Sequence, residues 1–186
     1  MSRISPVTGT RAPLLLRLMN AASRRMVGQE PEPLQIIAHN RGYLLPTIFM
    51  SRLGTVKTKL NPETRTLASH LVAELNGCEW CLDLGNYMAQ REGFAGDKLS
   101  SVMDHATSPL FSPAERVALA YAEAVTAPGS HVSDELFGQL REHYSEQEVV
   151  ELTLTVAMQN FANRMNIPLG LESQGFATAS WQAQPA

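Results

Sequence analysis

Asn76-Gly77-Cys78-Glu79-Trp80-Cys81-Leu82-Asp83 is the stretch on which the reading turns. It contains the only two cysteines of the 186-residue chain, three positions apart. The Asn-Gly pair ahead of them is a helix stop signal, because Gly takes the left-handed conformation that ends a helix. Leu82 to Arg91 reads as a new helix. The spacing therefore predicts a C-x-x-C on the first turn of one helix, just after another has ended. A first helical turn carries unpaired N–H groups and the positive end of the helix dipole, and both favour thiolate over thiol. Cysteines in such a setting titrate at roughly 3.5–7.5 instead of about 8.5. Two sulfurs at i and i+3 can also bridge, which suits a dithiol/disulfide cycle.

Working upstream, Asn61-Pro62 opens the preceding helix, with Asn61 as cap and Pro62 at the first helical position. Its apolar face is Leu67, Ala68, Leu71, Val72 and Leu75. Before it, Leu14 to Val27 and Leu34 to Asn40 read as helices and Tyr43 to Leu53 as an apolar stretch that is helical after Pro46, with a break at Arg41-Gly42 and a polar connection over Thr55 to Leu60. Downstream, Gly93 and Gly96 form a turn and Asp97 to Ala106 reads as one short helix. Ser112-Pro113-Ala114-Glu115, Ser133-Asp134-Glu135 and Ser145-Glu146-Gln147-Glu148 each start a further helix. The last of these is long and apolar and is expected to reach Met165, as central core or as an oligomer interface. Strand signals are scarce. The fold class is all-α, a helical bundle with the C-x-x-C at the N-terminus of a core helix. Residues 1–33 read as a partly helical N-terminal extension, 34–176 as the helical domain, and 177–186 as a frayed tail.

Composition excludes several classes. The chain is 44% hydrophobic and 18% charged, with a net charge of −3, so neither nucleic acid nor an anionic membrane surface is indicated as a partner. It has no run of 18 or more apolar residues. The Leu14-Leu15-Leu16 run is too short and interrupted for a signal peptide. Two cysteines at this spacing point to redox use in the cytoplasm rather than to a secreted disulfide scaffold. Zinc would need four ligands, and there is neither a second C-x-x-C nor a His-rich spacing.

The stretch from Leu67-Ala68 through Val72-Ala73-Glu74-Leu75 to Cys81 resembles the core of the AhpD-like, carboxymuconolactone decarboxylase family of alkylhydroperoxidase-type proteins. Ala114 to Ala124, Glu148 to Val156, Asn163-Arg164-Met165-Asn166 and Leu169 to Ser173 resemble its longer members, so the likeness spans roughly residues 34–176. The resemblance implies an all-helical homo-oligomer with a peroxidase-type cycle. Carried over, Cys81 attacks the hydroperoxide and Cys78 resolves the sulfenic acid. The family's proton relay has a Glu twelve residues before the first cysteine and a His four after the second. Thr66 and Gly85 stand at those positions here, so both relay groups are absent.

His70 lies one helical turn from Thr66, and histidine has a suitable intrinsic pKa. It ranks above Asp83, whose carboxylate would raise the pKa of a neighbouring thiol, as the candidate to take over the relay, and Glu74 lies one turn further on. The plainer reading of His70 is a satisfied helix histidine, and of Asp83 a helix-start residue facing the dipole. Trp80 either shields the sulfurs or simply packs. His39, His105, His131 and His143 receive no role, and Arg164 and Asn166 read as a helix-end charge and a cap.

The expected function is a thiol-dependent peroxidase or disulfide oxidoreductase acting on a small alkyl hydroperoxide. Its catalytic residues are Cys81, Cys78 and His70, an external dithiol reduces it, and its chemistry requires no metal, haem or flavin. Two alternatives stand beside it. One is a decarboxylase-like enzyme on a lactone-like acid, against which the cysteine pair counts. The other is a non-catalytic helical oligomer that senses redox state or binds a ligand, which the missing relay keeps open.

Overall fold

The computed structural model describes residues 2–51, 56–94 and 96–177. Among these the secondary structure is helical throughout, with no strand. The helices are α1 (Leu14–Val27), α2 (Glu32–Ile37), α3 (Arg41–Ser51), α4 (Pro62–Asn76), α5 (Glu79–Glu92), α6 (Gly96–Ser100), α7 (Pro113–Thr126), α8 (Asp134–His143) and α9 (Glu146–Asn166), with short 3-10 turns at Gly9–Arg11 and Val102–Asp104.

Most boundaries follow from local chemistry that the sequence carries. The Asn61 side chain accepts from the N–H groups of Glu63 and Thr64 at the start of α4. Ser112 with Glu115, and Ser145 with Glu148, form complete capping boxes on α7 and α9. Gly77 ends α4 with φ 69°, and the N–H of Cys78 turns back onto the carbonyl of Ala73. The next residue, Glu79, begins α5, so Cys78 is the N-cap and Cys81 lies in the first turn.

Two expectations fail. The break placed at Arg41-Gly42 lies earlier. Tight turns from His39 to Ile36 and from Asn40 to Ile37 close α2, and the Asn40 side chain accepts from Gly42 N–H 3.0 Å away, capping α3. Gly42 is therefore inside α3, and so is Pro46, after which the sequence places the start of the helix. The single helix expected over Asp97 to Ala106 is split at Ser101, whose φ of −101° and ψ of 7° leave the helical region. The split lets both Leu99 and Val102 reach the core, at 6% and 1% exposure. The end of the helix expected to reach Leu53, the first residue of the connection from Thr55 and residues 178–186 of the tail lie outside the described residues.

Helix α4 is the hub. It packs on α5, α7 and α9, and Leu67, Ala68, Leu71 and Val72 on its inner face are all buried. These join Leu119, Leu152 and Val156 in the main apolar cluster. A second cluster forms around the cysteines: Ile36, Ala73, Trp80, Leu171 and Phe176 enclose Cys78 and Cys81. A third, of Ala12, Leu16, Ala38, Leu44 and Ile48, belongs to the N-terminal helices. Among the described residues no helix is long and apolar enough to cross a membrane.

Candidate functional site

Cys78 and Cys81 form a disulfide, with Cα atoms 5.3 Å apart. Their surroundings differ. Cys78 is 1% exposed, sealed under the second apolar cluster. Cys81 is 8% exposed and opens onto a cavity of about 440 Å³ between α4, α5 and α9. The cavity walls are largely apolar, with Met88, Leu154 and Met158 among them. His70, Thr66 and Arg65 reach it from α4. Only one sulfur of the pair is thus presented to anything that enters.

His70 is 7% exposed and stands opposite Gly85, its Nδ1 3.9 Å from where a β-carbon on Gly85 would lie. Its Nε2 is 3.6 Å from Glu74 one turn further along α4. Burial pushes the imidazole below its ordinary pKa, and the Glu74 carboxylate offsets this only in part. His70 is therefore neutral near pH 7 and able to accept a proton. The structure brings His70, Thr66, Gly85 and Cys81 around one cavity.

Asp83 holds the other side of the site together. One carboxylate oxygen accepts from the N–H groups of Gln174, Gly175 and Phe176 at 2.8, 2.7 and 3.1 Å, and the other from Ala177 at 3.0 Å. Burial alone would raise its pKa. Hydrogen bonds from Ala177, Phe176, Ser173 and Gly175 outweigh that and hold the carboxyl below its usual value. Asp83 is thus an anchor for the segment after α9, not a helix-start residue merely facing the dipole. The same segment is pinned by Gln174, whose side-chain oxygen accepts from Trp80 Nε1 at 2.7 Å and from Glu32 N–H at 2.9 Å. Phe176, fully buried, meets Trp80 edge-on at 6.0 Å. Trp80 therefore packs beneath this segment and does not line the cavity.

The residue that sequence reasoning misjudged is Asn166. Read as a cap, it is instead 3% exposed, with its side-chain Nδ2 3.5 Å from Cys81 Sγ and 4.0 Å from Cys78 Sγ. It ends a row on α9. Asn160 donates to Thr126, and Asn163 donates to the Val72 carbonyl at 3.0 Å while accepting from Gln159. Three asparagines at i, i+3 and i+6 on an apolar helix are the signal that could have found it, since burying an amide is costly unless it is bonded.

A family model described as the carboxymuconolactone decarboxylase family matches residues 45–124. The uncharacterized protein YnjA of Escherichia coli (strain K12) is 34% identical over 168 residues, covering 89% of this chain and 92% of its own. The chain belongs to the carboxymuconolactone decarboxylase family. Its fold is shared with solved structures. The alkylhydroperoxidase AhpD core of an uncharacterized peroxidase-related protein from Ralstonia eutropha JMP134 superposes with a TM-score of 0.82 at 19% identity, over 95% of this chain and 94% of that one. A cysteine-to-alanine variant of the debrominase Bmp8 in complex with 2,3,4-tribromopyrrole gives 0.81 at 21% identity, over 98% of each chain. The AhpD-like helical architecture is thereby established for this member of the family. Among its described residues no group of three or more His, Cys, Asp or Glu is placed to hold a metal ion.

Proposed function

We propose that this protein is a dithiol-dependent reductase of small apolar hydroperoxides, with Cys81 as the attacking sulfur, Cys78 as the resolving one and His70 as the proton carrier. The observation that supports this is the asymmetry of the pair: Cys81 opens onto the cavity that His70 also lines, while Cys78 is sealed. In the reduced enzyme neutral His70 takes the proton of the Cys81 thiol. The thiolate attacks the terminal peroxide oxygen and the O–O bond breaks. Cys81 becomes a sulfenic acid, and the departing alkoxide takes the proton back from His70 and leaves as the alcohol. The Cys78 thiol then attacks the sulfenic sulfur, the S–S bond forms and water leaves. An external dithiol restores both thiols by two exchanges and is itself oxidised to a disulfide.

The test is thiol loss on adding one equivalent of an alkyl hydroperoxide to reduced protein, beside Cys81→Ser and Cys78→Ser, followed by mass spectrometry. Rapid appearance of the Cys78–Cys81 disulfide, and a trappable sulfenic acid on Cys81 in Cys78→Ser, is the expected result. Thiols that stay reduced for minutes at neutral pH would remove the peroxidase reading. Disulfide formation without turnover in the presence of dithiol would favour a sensor.

A second reading draws on the fold shared with the debrominase Bmp8 and on a cavity large enough for a substituted ring. The same dithiol can reduce a carbon–bromine bond to carbon–hydrogen, with bromide leaving and the disulfide formed. Bromide release from 2,3,4-tribromopyrrole under dithiol, measured in the same preparation, separates the two.

A further inference from the structure

We propose that Asn166 is the group that holds the negative charge on Cys81 in the reduced protein. The inference rests on the reading of Cys81 as the attacking sulfur. It starts from what surrounds that atom. The helix-start position of Cys81 supplies part of the stabilisation. The charged and titratable side chains facing it from the packed elements supply little. From α4, His70 is neutral by burial, Glu74 carries the wrong sign, and Arg65 lies on the cavity wall. On α5 itself, the acidic Glu79 supplies no cation and the Asp83 carboxylate is engaged by four backbone N–H groups of the segment after α9. From α9, Glu151 is anionic and is bonded to the N–H groups of Lys59 and Leu60.

No cation among these is bonded to the sulfur. The donor that is bonded to it is the Asn166 amide, at 3.5 Å and buried. It cannot easily turn away. Its backbone carbonyl accepts from Leu171 N–H, and α9 is fixed to α4 one turn earlier by Asn163. A buried neutral donor aimed at an anionic sulfur lowers the thiol pKa without placing a competing charge in an apolar cavity. The same amide stands 4.0 Å from Cys78, so it also faces the resolving sulfur when the disulfide opens.

The experiment titrates Cys81 in the Cys78→Ser background of the full chain, by the pH dependence of iodoacetamide alkylation and by ultraviolet thiolate absorbance. Asn166→Ala is expected to raise the Cys81 pKa by about one unit, an approximately tenfold loss of thiolate at a pH below both values. Asn166→Asp, of the same size, is expected to raise it further through like-charge repulsion. Circular dichroism checks that each variant is folded, and if the alanine variant is not, the near-isosteric Asn166→Leu, which removes the donor without adding charge, carries the test. A Cys81 pKa that stays in place in a folded variant overturns the proposal, as does a fall in Asn166→Asp. Alkylation uses no peroxide, so a failure here is distinct from a failure of the peroxidase reading.

Discussion

Nδ1 of His70 lies 3.9 Å from where a β-carbon on Gly85 would stand, and among the described residues no other atom outside the helix of Gly85 comes within 4 Å of that point. An imidazole thus reaches this corner of the cavity from α4, where the resemblance implied one from α5. The glycine leaves room for it. If His70 is the proton carrier, His70→Ala should slow hydroperoxide-dependent thiol loss by about a hundredfold, the scale of a lost general acid–base group. Adding Gly85→His to that variant should restore at least about a tenfold part of the rate, because the ring re-enters the same space from the facing helix. An unchanged rate in His70→Ala would end the relay argument.

The pH dependence of that rate carries a sign. Burial lowers the His70 pKa and Glu74 raises it in part, so the base stays neutral below the usual histidine value of about 6.5. Glu74→Gln removes the raising charge. The acid limb of the rate profile should then move to lower pH, as followed by stopped-flow thiol loss. An acid limb that stays in place would mean that Glu74 does not act on His70.

The second half of the site explains how much of it the sequence reveals. The helix around the cysteines is legible because caps and stops are local: Asn61-Pro62, Gly77 and the two Ser-x-x-Glu boxes each set a boundary with neighbouring residues. The contacts that complete the site are long-range. Asp83 meets Gln174 to Ala177, and Asn166 meets Cys81, across 85 residues or more. No periodicity encodes such pairings, so Asp83 reads as a dipole partner and Asn166 as a cap until the fold joins them. His70 lies between these cases, because its face is set by helical spacing but its place opposite Gly85 needs α5.

Asp83→Asn tests the anchor directly. The amide can still accept, but it loses the charge and sets its NH₂ against backbone N–H groups. The expected cost is about 2 kcal/mol, the scale of charge-assisted hydrogen bonds, read by urea unfolding. Release of the segment uncovers Cys78, so the disulfide should also be reduced faster by dithiothreitol. In the wild type the folded carboxyl has the lower pKa. Its contribution is full above the unfolded value of about 3.9 and disappears as pH falls through the folded one. Acid should therefore lower wild-type stability in that window more than it lowers that of Asp83→Asn. Equal losses would mean that the carboxylate is not the anchor.

His105 is a buried polar group outside the site, and its energetics can be separated from catalysis. It is 5% exposed, and neither ring nitrogen has a hydrogen-bond partner among the described residues, although Nε2 comes within 3.5 Å of Glu123. Burial lowers its pKa. Glu123 and Asp104 oppose that shift and Arg116 adds to it. Unpaired buried polar atoms cost about 1–3 kcal/mol, and an apolar side chain of similar size removes that cost. His105→Leu should then match or exceed wild-type stability at pH 8, with the disulfide chemistry unaltered. Its advantage should widen below about pH 6.5, because the unfolded wild type binds a proton there before the folded state does. If acid instead favours the wild type, the folded imidazole is charging to pair with Glu123, and the approach at 3.5 Å is a working ion pair rather than a near miss.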